Sequence, residues 1–406
     1  METWIFAWRN LWRNRRRTYI TMAAVAANTM VLILLNCLND GIINGAINNV
    51  TSVLVGDAQI HHPDYLDSRS FYDTIDNPEA FIAGAEAKGY KVAPRRFGHG
   101  LVAFGSKSAG GTIWGIDPGA EQAAFTLPSK LKKGRFLESA AKKELVIGHR
   151  LARTLNADLG AELVLLIQAA DGSMGNELYR VVGVLSEVGD AVDRSGLIMH
   201  QDDFEALFVA QGKVHEIAVR APGGRRAEVV LKDLEAVRGE AQLKSWKGIV
   251  PSFADMVEMN GKANIIFGLI FALAAGLGVM NTMLMATYDR VREFGVLRAL
   301  GASPLRILRG ITAEALILAV VASALGAGLG FGGAYILQTV GIDLSGIAGD
   351  GIQMSGTVMD TMLRAQISFE AVIIGPILMC VICPLASLYP AVKAARLDPV
   401  IAMNHA

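Results

Sequence analysis

Cys380 and Cys383 spell C-x-x-C, a spacing that can grip a metal ion or cycle between dithiol and disulfide. Here the pair lies inside an apolar run with Pro384 beside it, and the only other cysteine is Cys37. Neither redox nor metal chemistry is expected of it. "GLVAFGSKS" (Gly100 to Ser108) nearly spells a phosphate-binding loop, but Ser106 stands where lysine must follow the second glycine. "LSGIAG" from Leu344 is similar to an ATPase signature loop and is equally misplaced. His61, His62, His99, His149, His200, His215 and His405 show no H-E-x-x-H spacing, and no G-x-S-x-G elbow is present. The adjacent pair His61-His62 is expected at the surface, at a strand end. Glu314 and Glu370 are the acids of the apolar runs, each single and near an end, so they form no intramembrane protease pair.

With no catalytic constellation in view, composition carries the next step. The chain has 406 residues, is 52% hydrophobic and has a mean hydropathy of +0.37, too apolar for an ordinary soluble enzyme. Yet 19% of its residues are charged, too many for a bundle that lies wholly in a membrane. A membrane part plus a water-exposed part reconciles the two. A formal net charge of zero argues against nucleic acid as a partner.

Four runs reach the roughly 20 apolar residues that a bilayer crossing needs. They are Tyr19 to Leu38, Asn264 to Tyr288, 311–338 and 371–391. The first is longer than a signal-peptide core and no small-x-small site closes it, so it reads as a retained anchor. Arginines crowd the segment before the first run and the loop after the second, and Lys393 and Arg396 follow the fourth. Residues 39–260 instead carry 24 basic against 29 acidic side chains. The basic segments are expected in the cytoplasm, together with both termini, and the acidic region outside.

The outer region reads as mixed α/β. Strands are expected at Gly56 to His62, Gly110 to Ile116, Glu144 to Gly148, Ala161 to Gln168, Leu178 to Leu185, Gly196 to His200 and Val214 to Ala221. Helices are expected at Pro78 to Lys88, Gly148 to Ala157, Asp202 to Phe208 and Ala227 to Val237. At the N-terminus, Trp4, Ile5, Trp8, Leu11 and Trp12 share one helical face, which suits a helix lying in the headgroup layer. The second and third runs carry small-x-x-x-small patterns, among them Gly326/Gly330/Ala334 and Gly328/Gly332, which permit close helix packing.

The connection "DRVREFGVLRALGAS", Asp289 to Ser303, is neither greasy nor freely solvated. On a helical wheel Val291, Phe294, Leu297 and Leu300 cover roughly half the circumference, while Arg290, Arg292, Glu293 and Arg298 break up the rest. Such a surface suits a groove on another protein.

These residues, followed by "PLRILRGITAEALILAVVASALGAGLG" with its acid Glu314, resemble the cytoplasmic segment and third span of ABC transporter permeases of the FtsX/MacB type. "YPAVKAARLDPVIAM" and "GDAQIHHPDYLD" resemble the family's closing stretch and first outer strand, and Ser245-Trp246 points to the lipoprotein-releasing (LolC/LolE-like) branch. The resemblance implies a membrane protein of four transmembrane α-helices with a large extracytoplasmic α+β domain, the MacB-like periplasmic core, between spans one and two. Its parts are an interfacial helix (1–18), first span and stalk (19–55), periplasmic domain (56–247), and stalk and second span (248–288). A coupling helix (289–310), third span (311–338), periplasmic loop (339–370), fourth span (371–391) and cytoplasmic tail (392–406) complete it.

Function follows from the same resemblance. The chain is then not an enzyme and binds no cofactor. A separate cytoplasmic ABC ATPase dimer holds ATP and Mg, and a second permease copy or paralogue completes the complex in the bacterial inner membrane. Phe294, Val296, Leu297 and Leu300 are expected to be buried in the ATPase groove. Arg290, Arg292, Glu293 and Arg298 are expected to pair at its rim, and Gly295 and Gly301 to permit close approach or end the helix. ATP-driven closure moves the spans and the stalks pass the motion outward. The leading reading is extraction of a lipoprotein from the membrane lipid for a periplasmic carrier, with acyl chains against Met30, Leu34, Ile266 and Phe267. The alternatives are an efflux or peptide-export permease with an adaptor protein, and a signalling scaffold that controls a cell-wall hydrolase.

Overall fold

The computed structural model describes residues 2–223, 227–343, 352–354, 357–359 and 362–396. The expected loop 339–370 and tail 392–406 therefore lie partly outside the described residues, as do Leu344 to Gly349 and His405. The chain divides into two compact units, Met1–Asn44 with Glu258–Leu344 and Met362–Ala406, and Gly45–Val257 with Ser345–Thr361.

Among the described residues, the first unit is built around four long helices of membrane-crossing length and composition. The helix Glu2–Leu11 passes through one 3-10 turn, Trp12–Asn14, into the first span helix Arg15–Val50. It is thus joined to the first span through that turn. Trp4, Ile5 and Trp8 are exposed as the wheel suggests, but Leu11 turns inward with Ala7, toward the third span. The second span is Pro251–Tyr288, the third Pro304–Thr339 and the fourth Phe369–Ala395, which tolerates Pro376, Pro384 and Pro390 inside it. Met22, Val25, Leu32, Ala272, Val279, Ala315, Ala319, Ala322, Met379 and Cys383 form the shared core. Small residues dominate on the third span because neighbouring backbones come close there.

The glycine pattern of the third span divides by face. A Cβ on Gly326 would lie 2.4 Å from the Ala26 carbonyl oxygen and 2.8 Å from Thr29 Cβ, whereas Gly328 and Gly332 have open space. Gly326→Val should therefore force the first and third spans apart and cost about 1–3 kcal/mol, in the range of overpacked cores. Gly328→Val should be nearly neutral. Thermal unfolding of the two variants in one detergent checks the contrast, and equal midpoints would contradict this packing.

The second unit carries a ten-stranded sheet. Its strands are β1 (Ala58–His61), β2 (Lys91–Phe104), β3 (Lys107–Ile116), β4 (Leu131–Gly134), β5 (Glu144–Ile147), β6 (Glu162–Gln168), β7 (Met174–Leu185), β8 (Gly196–His200), β9 (Glu216–Arg220) and β10 (Gln242–Ser245). The seven expected strands are all present, joined by β2, β4 and β10. The order runs β10-β1-β9-β2-β3-β8-β5-β7-β4, and β6 pairs with both β2 and β7. That double pairing closes β2, β3, β8, β5, β7 and β6 into a ring, which removes free edges from those strands. Val102, Ile113, Leu145, Leu163, Leu197, Phe204 and Phe208 belong to the core of this part. The other part, β10-β1-β9 and the start of β2, has its own core, to which Phe81 of Pro78–Ala87 and Val230 of Ala227–Leu234 contribute.

"GLVAFGSKS" is the hairpin between β2 and β3. Phe104 pairs with Lys107, and Gly105, at φ +59°, takes the left-handed conformation of a two-residue turn. Its likeness to a phosphate loop is a turn signal.

Candidate functional site

The connection folds as a helix, Val291–Ala299, closed by Gly301 at φ +88° before Ser303 and Pro304 open the third span. Its apolar residues part company. Val291, Phe294 and Gly295 face the unit's own core, where Phe294 packs with Ile307, Ile311, Ala391 and Ala394. Val296, Leu297 and Leu300 face outward, with Leu300 80% exposed, and Leu305 continues that surface. Arg292, Glu293 and Gly301 are also exposed, and Arg298 is half-buried. The stripe proposed from the wheel is therefore two stripes, one holding the helix in place and one free.

Arg290 differs most from the expected rim role. It is buried, and its Nη1 donates to both oxygens of Glu314, at 3.0 and 3.1 Å, while Asn10 Nδ2 donates to Glu314 Oε1 at 2.8 Å. Glu314 thus ties the N-terminal helix and the connection to the third span. Arg290 Nε also lies 3.5 Å from Glu293 Oε2, whose other oxygen Arg13 Nη1 reaches at 2.5 Å, and Arg17 Nη1 reaches Asp289 at 2.9 Å. Exposed pairs like these contribute little, but removing one partner of the buried pair leaves an uncompensated charge.

The four residues assigned to an acyl path do not converge. Met30 and Leu34 are half-buried on the first span, and Leu34 packs toward Gly333 and Ala334 of the third. Ile266 and Phe267, both 59% exposed, point away from the bundle.

In the second unit the sequence reading missed a buried charge cluster. Arg95, fully buried on β2, donates to Glu121 from Nη2 at 2.7 Å and Nε at 3.2 Å, and from Nη1 to Glu216 at 3.0 Å. Nη1 also donates to the Leu54 carbonyl, and the Phe125 ring lies 4.5 Å from the guanidinium. Burial opposes ionisation of Glu216, but His61 and Arg95 hold its carboxyl below the usual range. His61 is accordingly buried, with Nε2 3.4 Å from Glu216, and not at the surface; only His62 is partly exposed. Arg220 makes a second clamp, donating to Thr51 at 2.7 Å, Asp57 at 2.8 Å and Asn48 at 2.9 Å. Burial pushes the Asp57 carboxyl up, against the opposing pull of the Ala221 N–H and Arg220. The Trp246 N–H donates to the Asp57 carbonyl, so both segments that lead into this unit meet at one joint. Arg95 and Arg220 fix the π-helical turn Thr51–Val55 against the sheet.

Among the described residues no group of three or more His, Cys, Asp or Glu side chains gathers as a metal site. Cys37, Cys380 and Cys383 are free thiols.

Two family models match the chain: the FtsX-like permease C-terminal over residues 265–399 and the MacB-like periplasmic core domain over 18–237. The pyoverdine export ATP-binding/permease protein PvdT of Pseudomonas fluorescens is 25% identical over 98% of this chain, which spans only 58% of that protein. The lipoprotein-releasing system transmembrane protein LolC of Xylella fastidiosa is 23% identical over 72% of each chain. Among solved structures, the periplasmic region of MacB from Actinobacillus actinomycetemcomitans aligns with 48% of this chain and 91% of its own. Its TM-score is 0.37 and its identity 17%. The periplasmic-core match covers more than half of the chain and the permease match most of its C-terminal part, so this protein belongs to the FtsX/MacB superfamily of ABC transporter permeases.

Proposed function

We propose that this permease works by mechanotransmission with a separate cytoplasmic ATPase dimer and a second permease, and that it releases lipoproteins from the inner membrane to a periplasmic carrier. The observation that carries the coupling part is the outward stripe Val296, Leu297 and Leu300 on a helix whose inward face is locked by Phe294 and the Arg290–Glu314 pair. A rigid helix with a free apolar face suits a groove, because little order must be gained on docking. Arg292 and Glu293 supply polar contacts at its rim, and Gly301 ends it. The clamps of Arg95 and Arg220 would let the periplasmic domain follow movement of the segment Asn48–Val55 instead of slipping over it. With the basic ends of the spans inside, both termini face the cytoplasm.

Lipoprotein as substrate rests on the likeness to LolC over 72% of both chains. Lifting acyl chains from a bilayer needs a driven machine, since each buried CH₂ contributes about 0.8 kcal/mol to anchoring. Depletion of this protein should strand outer-membrane lipoproteins in the inner membrane, as read by fractionation and immunoblotting. The likeness to PvdT over 98% of the chain favours export of a small molecule as the second reading. Correct lipoprotein sorting after depletion, with altered tolerance to a drug or peptide, would decide for it.

A further inference from the structure

Where the first, second and fourth spans run toward their periplasmic ends, a cleft of about 300 Å³ opens between them, at the lower end of the range for ligand sites. Leu32, Ile265, Leu269, Ile374 and Leu378 line its apolar wall, and Asp40 and Glu370 are its charged residues among those described. Ser368 Oγ donates to Asp40 Oδ2 at 2.7 Å, and Asn264 Nδ2 donates to Asn36 Oδ1 at 3.1 Å, so the mouth is polar and ordered. Glu370 is exposed and has no partner among the described residues. None of the described lining residues is Lys, Arg or His.

We infer that this cleft takes a cationic amphiphile, with an alkyl chain along the apolar wall and an ammonium head against Asp40 and Glu370. Charge complementarity sets the class. Two carboxylates with no Lys, Arg or His among the described lining residues, at the edge of a low-dielectric slab, gain most from a cation that brings its own apolar body. A zwitterionic phospholipid fits less well, because its phosphate would meet the same carboxylates with nothing to pair it. The slot is too small for a folded polypeptide, and alkyl chains match its walls.

The inference does not rest on the lipoprotein reading, since it concerns the isolated permease. The test uses the full chain in phosphatidylcholine vesicles with three diazirine-bearing probes of equal chain length, headed by trimethylammonium, hydroxyl or sulfate. Cross-linked peptides are mapped by mass spectrometry. The ammonium probe should label the cleft about tenfold more than the alcohol and the sulfate least, the scale of one desolvated ion pair. Asp40→Asn with Glu370→Gln should bring the ammonium-to-alcohol ratio close to one, with alcohol labelling unchanged as the control for an intact cleft. Glu370→Gln alone, at an exposed side chain, should lower the ratio without disturbing packing. Equal labelling by the three probes in the natural protein would overturn the inference. So would an ammonium preference that persists in Glu370→Gln and in the double variant.

Discussion

Leu297→Asp with Leu300→Asp is expected to strip the ATPase from the permease while leaving the permease folded. Both side chains stand on the outward face of the connecting helix, with Leu300 80% and Leu297 46% exposed, so neither supports the permease's own core. If each is buried in the ATPase groove, its loss removes about 1.5–3 kcal/mol, and a carboxylate put in its place adds desolvation. Together that weakens association by roughly a hundredfold or more, at tenfold per 1.4 kcal/mol. Co-purification of the ATPase from membranes, and stimulation of its turnover by the permease, should both collapse. Phe294→Ala is the contrasting variant. Its ring lies among Ile307, Ile311, Ala391 and Ala394, so truncation should cost about 3–5 kcal/mol of permease stability and lower its yield. Intact association in the double aspartate variant would return the outward stripe to the membrane interface.

The contrast between Phe294 and Leu300 shows what periodicity can and cannot say. The wheel marks both as apolar, and both are buried in any working complex of the kind proposed. It does not say which partner covers which, because a helix between two surfaces shows one continuous pattern to the sequence reader. The spans were legible because the bilayer demands long apolar runs, and β1, β3 and β5 to β9 because β-branched runs end at turn residues. β2 was not. Its run "KVAPRRFGHGLVAF" holds Pro94, two arginines and two glycines, and only the structure shows Arg95 turned inward onto Glu121 and Glu216. β4 and β10 are short, with lysines that hide any alternation. For Arg290 a signal existed. Glu314 is an acid inside an apolar run, and such an acid needs a cation or donors within reach. The basic connection that ends next to it in sequence was the place to look.

That pair supports the remaining large effect. Arg290→Met removes the guanidinium from Glu314 and leaves a buried carboxylate with Asn10 as its remaining side-chain partner among the described residues. Breaking a buried pair from one side costs about 3–5 kcal/mol, so the variant should unfold early in detergent and lose the ordered connection first. Hydrogen exchange over 289–303 would read this directly. Arg290→Met with Glu314→Leu replaces both charges by apolar side chains, and much of the stability should return, because the desolvation cost of the pair disappears as well. Coupling should not return with it. Two apolar side chains can pack in several arrangements, whereas the planar guanidinium, with Nη1 on both Glu314 oxygens and Nε 3.5 Å from Glu293, is directional and fixes the connection relative to the third span and the N-terminal helix. The expected double variant is therefore stable and still binds ATPase through Leu297 and Leu300, yet stimulates ATP turnover poorly. Full stimulation in a stable double variant would mean that the Arg290–Glu314 pair serves the fold alone, and that motion passes from the connection to the span through the packing of Phe294.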